Sequence, residues 1–175
     1  MNKERIDAMQ NTKVSKEAVP TGLSPDELLQ LVTFRIGDEE FAVDILRVQE
    51  INRMLEVTRV PNAPEHIEGV INLRGKVIPI IDLRSRFGLA KKDKDKNTRI
   101  VVVEVSGKIV GFIVDAVREV LRIPKSITEP TPKIATSAAA DYITAVGKLD
   151  DRLLILLDLD KVLSAQEKRG LEVAA

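Results

Sequence analysis

The feature that most constrains this chain is a repeat. Residues 67–83, IEGVINLRGKVIPIIDL, return as 143–159, ITAVGKLDDRLLILLDL, at a constant spacing of 76 positions. Ile67 falls on Ile143, Val70 on Val146, Leu73 on Leu149, Lys76 on Arg152, Asp82 on Asp158 and Leu83 on Leu159. In the first copy, Val70-Ile71 and Val77 to Ile81 are apolar runs rich in β-branched residues, which suit a pleated surface. Gly75 can adopt positive φ, so Leu73-Arg74-Gly75-Lys76 reads as the turn of a β-hairpin. Neither arm alternates cleanly between apolar and polar, which predicts strands buried on both faces. Pro79 has no N–H and belongs at a seam, edge or bulge.

The segments before each hairpin also correspond. Leu31 to Ile36 reads as a strand, Gly37-Asp38 as a turn and Phe41-Ala42-Val43 as the return strand. Asp44 is placed to cap a short helix over Ile45–Arg53, with apolar residues at 45, 48 and 51. Thr58-Arg59-Val60 is a short strand stopped by Pro61, and Pro64 to Ile67 one helical turn. After the charged connector Leu89 to Asn97 the pattern restarts with a strand at Ile100 to Val105. A turn at Gly107 and a strand from Val110 to Val114, ending in Asp115, follow. Val117-Arg118-Glu119-Val120 then echoes Val48-Gln49-Glu50-Ile51. Each unit of about 65 to 70 residues thus carries roughly five short strands, and small closed barrels remove sheet edges. The expected fold is mainly β: two five-stranded barrels packed together over a shared core, with short helices and a C-terminal helix over Leu159 to Val173. Whether each barrel keeps its own strands stays open. Residues 1–29 read as a flexible polar tail, in which Ser24 to Leu29 offers an alternative short capped helix. Residues 30–165 form the folded region, in halves of roughly 30–90 and 98–165, and 166–175 a C-terminal tail.

Composition narrows function by exclusion. Lys plus Arg and Asp plus Glu both number 27, so no global charge draws the chain to nucleic acid or an anionic membrane. Cysteine is absent, which excludes disulfide and thiolate chemistry. The N-terminal sequence lacks the apolar core of a secretory signal, and no run approaches the ~18 apolar residues of a membrane span; a cytoplasmic setting is expected. His66 is the sole histidine and stands in a Pro-rich loop without a partner. Asp44, Asp82, Asp115 and Asp158 recur at strand ends, and their recurrence reads as capping of one structural corner rather than as a metal site. A small Asp-based metal-dependent enzyme is the rival reading. Phosphate-cradling glycine motifs are missing. No catalytic, cofactor-binding or metal residue is assigned, and surface recognition remains, with Arg74 held out toward solvent from a tight turn.

The segments LVTFRIGDEEFAVDILRVQEI, VTRVPNAPEHIEGVINLRGKVIPIIDLRSRFG and IVGFIVDAVREVL resemble the CheW family of bacterial chemotaxis coupling proteins. The likeness covers roughly residues 30 to 165. It implies two SH3-like five-stranded barrels, no catalytic activity and no cofactor. It implies a scaffold that couples the cytoplasmic tips of methyl-accepting chemotaxis receptors to the histidine kinase CheA through the kinase's regulatory domain. Contact with the membrane would then be indirect, through receptor arrays. The motif positions imply receptor contact at Val48, Glu50, Gly69 and Arg74, and kinase contact by the Thr128–Tyr142 loop with Ile134 as its apolar candidate. Glu68 departs from relatives that carry a basic residue there. The alternative within the family is a coupling module of a non-chemotaxis CheA-type pathway.

Overall fold

The structure is a computed structural model that describes residues 27–63, 66–130 and 141–163. Among the described residues eleven strands form two sheets. β1 (Leu28–Ile36), β2 (Glu39–Asp44), β8 (Ala116–Pro124), β9 (Thr128–Pro130), β10 (Ile143–Lys148) and β11 (Leu153–Leu157) build one, in the order β8-β1-β2-β11-β10-β9. β3 (Val48–Arg53), β4 (Ile67–Leu73), β5 (Lys76–Asp82), β6 (Arg99–Val105) and β7 (Lys108–Val114) build the other, in the order β3-β6-β7-β5-β4. The fold is mainly β, in two packed subdomains, as the repeat predicts.

The repeat holds pair by pair. In the first hairpin Ile67 faces Ile81, Gly69 faces Ile80 and Val70 faces Pro79, with a bulge between Ile67 and Gly69. In the second, Ile143 faces Leu157, Ala145 faces Leu156 and Val146 faces Ile155, with the bulge at the same place. Asp82 N–H donates to the His66 carbonyl and Asp158 N–H to that of Tyr142, again 76 positions apart. Pro79 lies just before β5 joins β7 in parallel at Ile80 and Gly111, where a missing donor is tolerated.

Strands are exchanged between the two units. β5 runs parallel to β7 of the second unit, and β11 runs parallel to β2 of the first. β3 pairs with β6 and β1 with β8, so each sheet draws strands from both units. The six-stranded sheet gains β9 where its counterpart has only a bridge between Thr58 and Val70. That bridge is all that remains of the strand expected at Thr58 to Val60.

The core is divided accordingly. Ile71, Ile78, Ile80, Ile100, Val102 and Ile113 fill the five-stranded subdomain. Leu31, Ala42, Leu121, Ile123, Leu154 and Leu156 fill the six-stranded one. A third and largest cluster, including Phe34, Phe41, Ile81, Val103, Phe112 and Leu159, lies between them and joins residues of both. Phe34, Phe41, Phe87 and Tyr142 stack in succession across it, with centroids 5.2–6.2 Å apart. The Arg86 guanidinium lies over Tyr142 and its Nε donates to the Val162 carbonyl at 2.9 Å.

Two expectations need correction. The helix expected over Ile45–Arg53 is a single 3₁₀ turn, Ile45–Arg47, followed by strand β3. Asp44 caps that turn as expected, accepting from Leu46 N–H at 2.9 Å. The apolar spacing at 45, 48 and 51 fits a capped turn plus an alternating strand equally well, and antiparallel pairing with β6 decides for the strand. Second, Leu28 and Leu29 open β1 rather than close a helix. The C-terminal helix is described only over Leu159–Val162. The rest of that segment, like Pro64, Glu65 and residues 1–26, lies outside the described residues.

Candidate docking surface

The β4–β5 turn places both central residues at positive φ, Arg74 at 53° and Gly75 at 81°. That is the two-residue turn whose twist matches the flanking strands. Asn72 Oδ1 accepts from Gly75 N–H at 2.9 Å and holds the turn closed. Arg74 is thereby aimed back across the end of the sheet. Its Nη2 donates to Glu50 Oε2 at 2.6 Å, on β3. Half of the Arg74 side chain remains exposed, but only 5% of Glu50 does. The other Glu50 oxygen accepts from Asn52 Nδ2 at 2.6 Å. Arg74 is therefore not a free arm in solvent: the turn and a buried carboxylate fix one edge of its guanidinium, while half of the side chain stays exposed. A planar donor held this way loses little entropy on binding.

Beside this pair a groove of about 240 Å³ opens in the five-stranded subdomain. Leu73, Ile78, Val102 and Ile109 give it apolar walls, and Gln49, Glu50, Arg74 and Lys76 a polar rim. An apolar floor with a charged rim is the composition of a protein-docking site.

The remaining positions singled out in the sequence act from behind this surface. Val48 is 1% exposed, faces Val103 and belongs to the core between the subdomains. Gly69 has φ 155°, and a Cβ there would lie 2.2 Å from the Thr58 carbonyl oxygen. The close approach is used: Thr58 N–H donates to Val70 O at 2.9 Å and Val70 N–H to Thr58 O at 2.8 Å, pinning the loop after β3 onto β4. The structure thus brings Glu50 and Arg74 together and makes Val48 and Gly69 supports. Of the loop Thr128–Tyr142, Thr128–Pro130 is β9, paired with β10. Ile134 and its neighbours 131–140 lie outside the described residues.

The four aspartates are dispersed and do not mark one shared corner. Asp82 accepts from Arg84 N–H and Asp158 from Asp160 N–H, equivalent caps of the turns Leu83–Arg86 and Leu159–Val162. Asp44 caps a different turn. Asp115 caps nothing: it accepts from Gly37 N–H at 2.7 Å and from Arg84 Nη1 at 2.6 Å. Burial pushes the Asp82 carboxyl above its ordinary value, with Glu68 adding to the rise and the Arg84 N–H opposing it. Among the described residues no three such side chains gather in a metal-holding group.

Sequence reasoning missed Leu46. It stands 84% exposed at the tip of the 3₁₀ turn, the most exposed of the large apolar side chains among the described residues. Beside that turn a groove of about 470 Å³ enters the six-stranded subdomain, lined by Leu29, Leu31, Leu156 and Leu159 and rimmed by Asp44 and the Arg47–Asp160 ion pair. The available signal was an apolar residue two places after a capping Asp, where a solvated turn would carry a polar one.

Comparison with known proteins places the chain in a family. The CheW-like domain family matches residues 30–167. "Chemotaxis protein CheW" of Klebsiella aerogenes is 42% identical over 138 residues, covering 79% of this chain and 83% of that protein. "Probable chemotaxis protein CheW" of Rhizobium etli is 39% identical over 81% of this chain and 91% of its own length. The crystal structure of the scaffolding protein TtCheW from Thermoanaerobacter tengcongensis superposes with a TM-score of 0.74 at 39% identity, covering 79% of this chain and 94% of that one. Among the described residues no helix is long and apolar enough to cross a membrane. A family match over most of the chain, together with a shared mainly β fold in two packed subdomains, makes this chain a member of the CheW-like family of non-catalytic chemotaxis coupling scaffolds.

Proposed function

We propose that this chain couples methyl-accepting chemotaxis receptors to the histidine kinase CheA, using one subdomain for each partner. The observation that carries the reading is the separation of two unlike surfaces. The Arg74–Glu50 groove lies on the five-stranded subdomain and the Leu46 groove on the six-stranded one. In this reading the receptor tip takes the charged rim around Arg74. Gly69 and Val48 contribute by holding the loop and strand that frame it. The kinase's regulatory domain suits the apolar surface at Leu46, together with the Thr128–Tyr142 segment that leads into β10. The chain then acts in the cytoplasm and reaches the membrane only through receptors.

The test is a pair of binding titrations, one with a receptor signalling-tip fragment and one with the CheA regulatory domain. Arg74→Ala weakens the first and spares the second, and Leu46→Asp does the reverse. Equal losses toward both partners, or binding to neither by the unaltered chain, would overturn the reading.

A further inference from the structure

The duplication gives the docking groove a second copy, and the two copies are not in the same state. The strand registers fix the correspondence. Val48 faces Val103 and Val117 faces Phe34, so β8 stands to β1 as β3 stands to β6, and Glu119 takes the place of Glu50. Phe34 faces Phe41 as Val103 faces Val110, so β2 corresponds to β7, and Glu40 takes the place of Ile109. In the hairpins Arg152 takes the place of Lys76 and Asp150 that of Arg74.

We infer that Arg152 is a latch that closes the second copy of the groove, so that a chain built from two equivalent units offers one site of this kind. From β11's turn, Arg152 reaches both walls of the counterpart mouth. Its Nε lies 2.9 Å from Glu40 Oε2 on β2, and its Nη2 donates to Glu119 on β8. The three side chains are 20%, 10% and 19% exposed, so the triad fills the place it spans. In the five-stranded subdomain the same reach is not made. Ile109 offers no acceptor where Glu40 stands, Lys76 is exposed, and Glu50 is engaged from the other side of the turn by Arg74. The mouth there is left open, with Ile109 as part of its apolar wall. Three differences between the repeats, Ile109 for Glu40 on one wall and Lys76 for Arg152 and Arg74 for Asp150 at the turn, thus separate the open copy from the latched one. The occupant of the open copy is the receptor tip, so this inference rests on the proposed function.

Grafting the latch across the repeat tests it. In the full chain, Ile109→Glu with Lys76→Arg recreates the triad in the five-stranded subdomain. The expected result is at least a tenfold loss of affinity for a receptor-tip fragment, with CheA regulatory-domain affinity unchanged. A folded graft that binds the receptor tip as well as the unaltered chain overturns the inference. If that graft does not fold, the converse decides. Glu40→Ile, Asp150→Arg and Arg152→Lys, made on an Arg74→Ala background, should restore receptor-tip binding through the opened second copy, and a folded variant that stays inactive overturns the latch. Failure of the unaltered chain to bind the receptor tip is a different result: it overturns the receptor reading itself and this inference with it.

Discussion

Replacing Arg74 with Ala should cost stability as well as binding, and the two can be measured apart. In the sequence Arg74 is a turn residue at a hairpin tip, and exposed substitutions usually change stability by less than ~0.5 kcal/mol. The structure changes that expectation, because the partner of Arg74 is a carboxylate with 5% of its surface exposed. Removing one member of a buried pair leaves a desolvated charge, at a cost that reaches ~3–5 kcal/mol when both partners are buried. Arg74 is half exposed, and Asn52 still donates to Glu50, so solvent and the amide recover much of this. About 1–2 kcal/mol remains. For a domain of this size that lowers the thermal midpoint by roughly 3–8 °C. Glu50→Gln supplies the control, since it removes the charge whose burial causes the penalty. On that background Arg74→Ala should cost less than half as much, so the double variant loses less than the sum of the two single losses in the double-mutant cycle. Receptor-tip affinity should fall about thirtyfold in Arg74→Ala, equivalent to ~2 kcal/mol. The reasoning fails if Arg74→Ala melts within a degree of the unaltered chain. It also fails if the two substitutions are strictly additive in stability.

Other outcomes follow from the same geometry. Ile80 and Leu156 occupy equivalent buried places, so Ile80→Ala and Leu156→Ala should each lose ~2–5 kcal/mol in urea titrations. Gly69→Ala should destabilise by ~1–3 kcal/mol through its clash with the Thr58 carbonyl. Gly75→Ala, which meets nothing within 4 Å, should cost only the ~1 kcal/mol of positive φ, and calorimetry of the pair checks the order. Asp82 is raised by burial, so its contribution to stability is greatest below the unfolded carboxylate's pKa near ~4 and is lost as pH rises through the folded value. Asp82→Asn keeps an acceptor for Arg84 N–H, so its melting midpoint relative to the unaltered chain should improve between pH 3.5 and pH 7, and a relative decline over that interval would contradict the assignment.

Much of the fold is legible in the residues because the hairpin was duplicated with its register intact. Val70 and Val146, Leu73 and Leu149, and Asp82 and Asp158 identify equivalent places without any knowledge of pairing. The exchange of strands is not legible, because hydrophobic pattern says which residues are buried and not which strand lies beside them. β5 with Gly111 and β11 with Ala42 are contacts across about 30 and 114 positions, with no local signature. The helix misread at Ile45–Arg53 shows a further limit: a 3₁₀ turn and an alternating strand, run together, imitate the period of a helix over nine residues. At the site, Arg74 was visible as an exposed turn cation, but its tie to Glu50 was not. That tie depends on β3 lying at the edge of the same sheet, 24 positions away in sequence. Leu46 was hidden by the same misreading, since within a helix it would pass as one apolar position among several.

The central claim, that one chain holds two partners at once through separate subdomains, is tested most directly by mixing it with a receptor-tip fragment and the CheA regulatory domain. The mass of the resulting species is then measured by analytical ultracentrifugation. The account predicts a ternary complex that loses only the receptor fragment with Arg74→Ala and only the kinase domain with Leu46→Asp. Competition between the two partners, with binary complexes alone at every ratio, would contradict it.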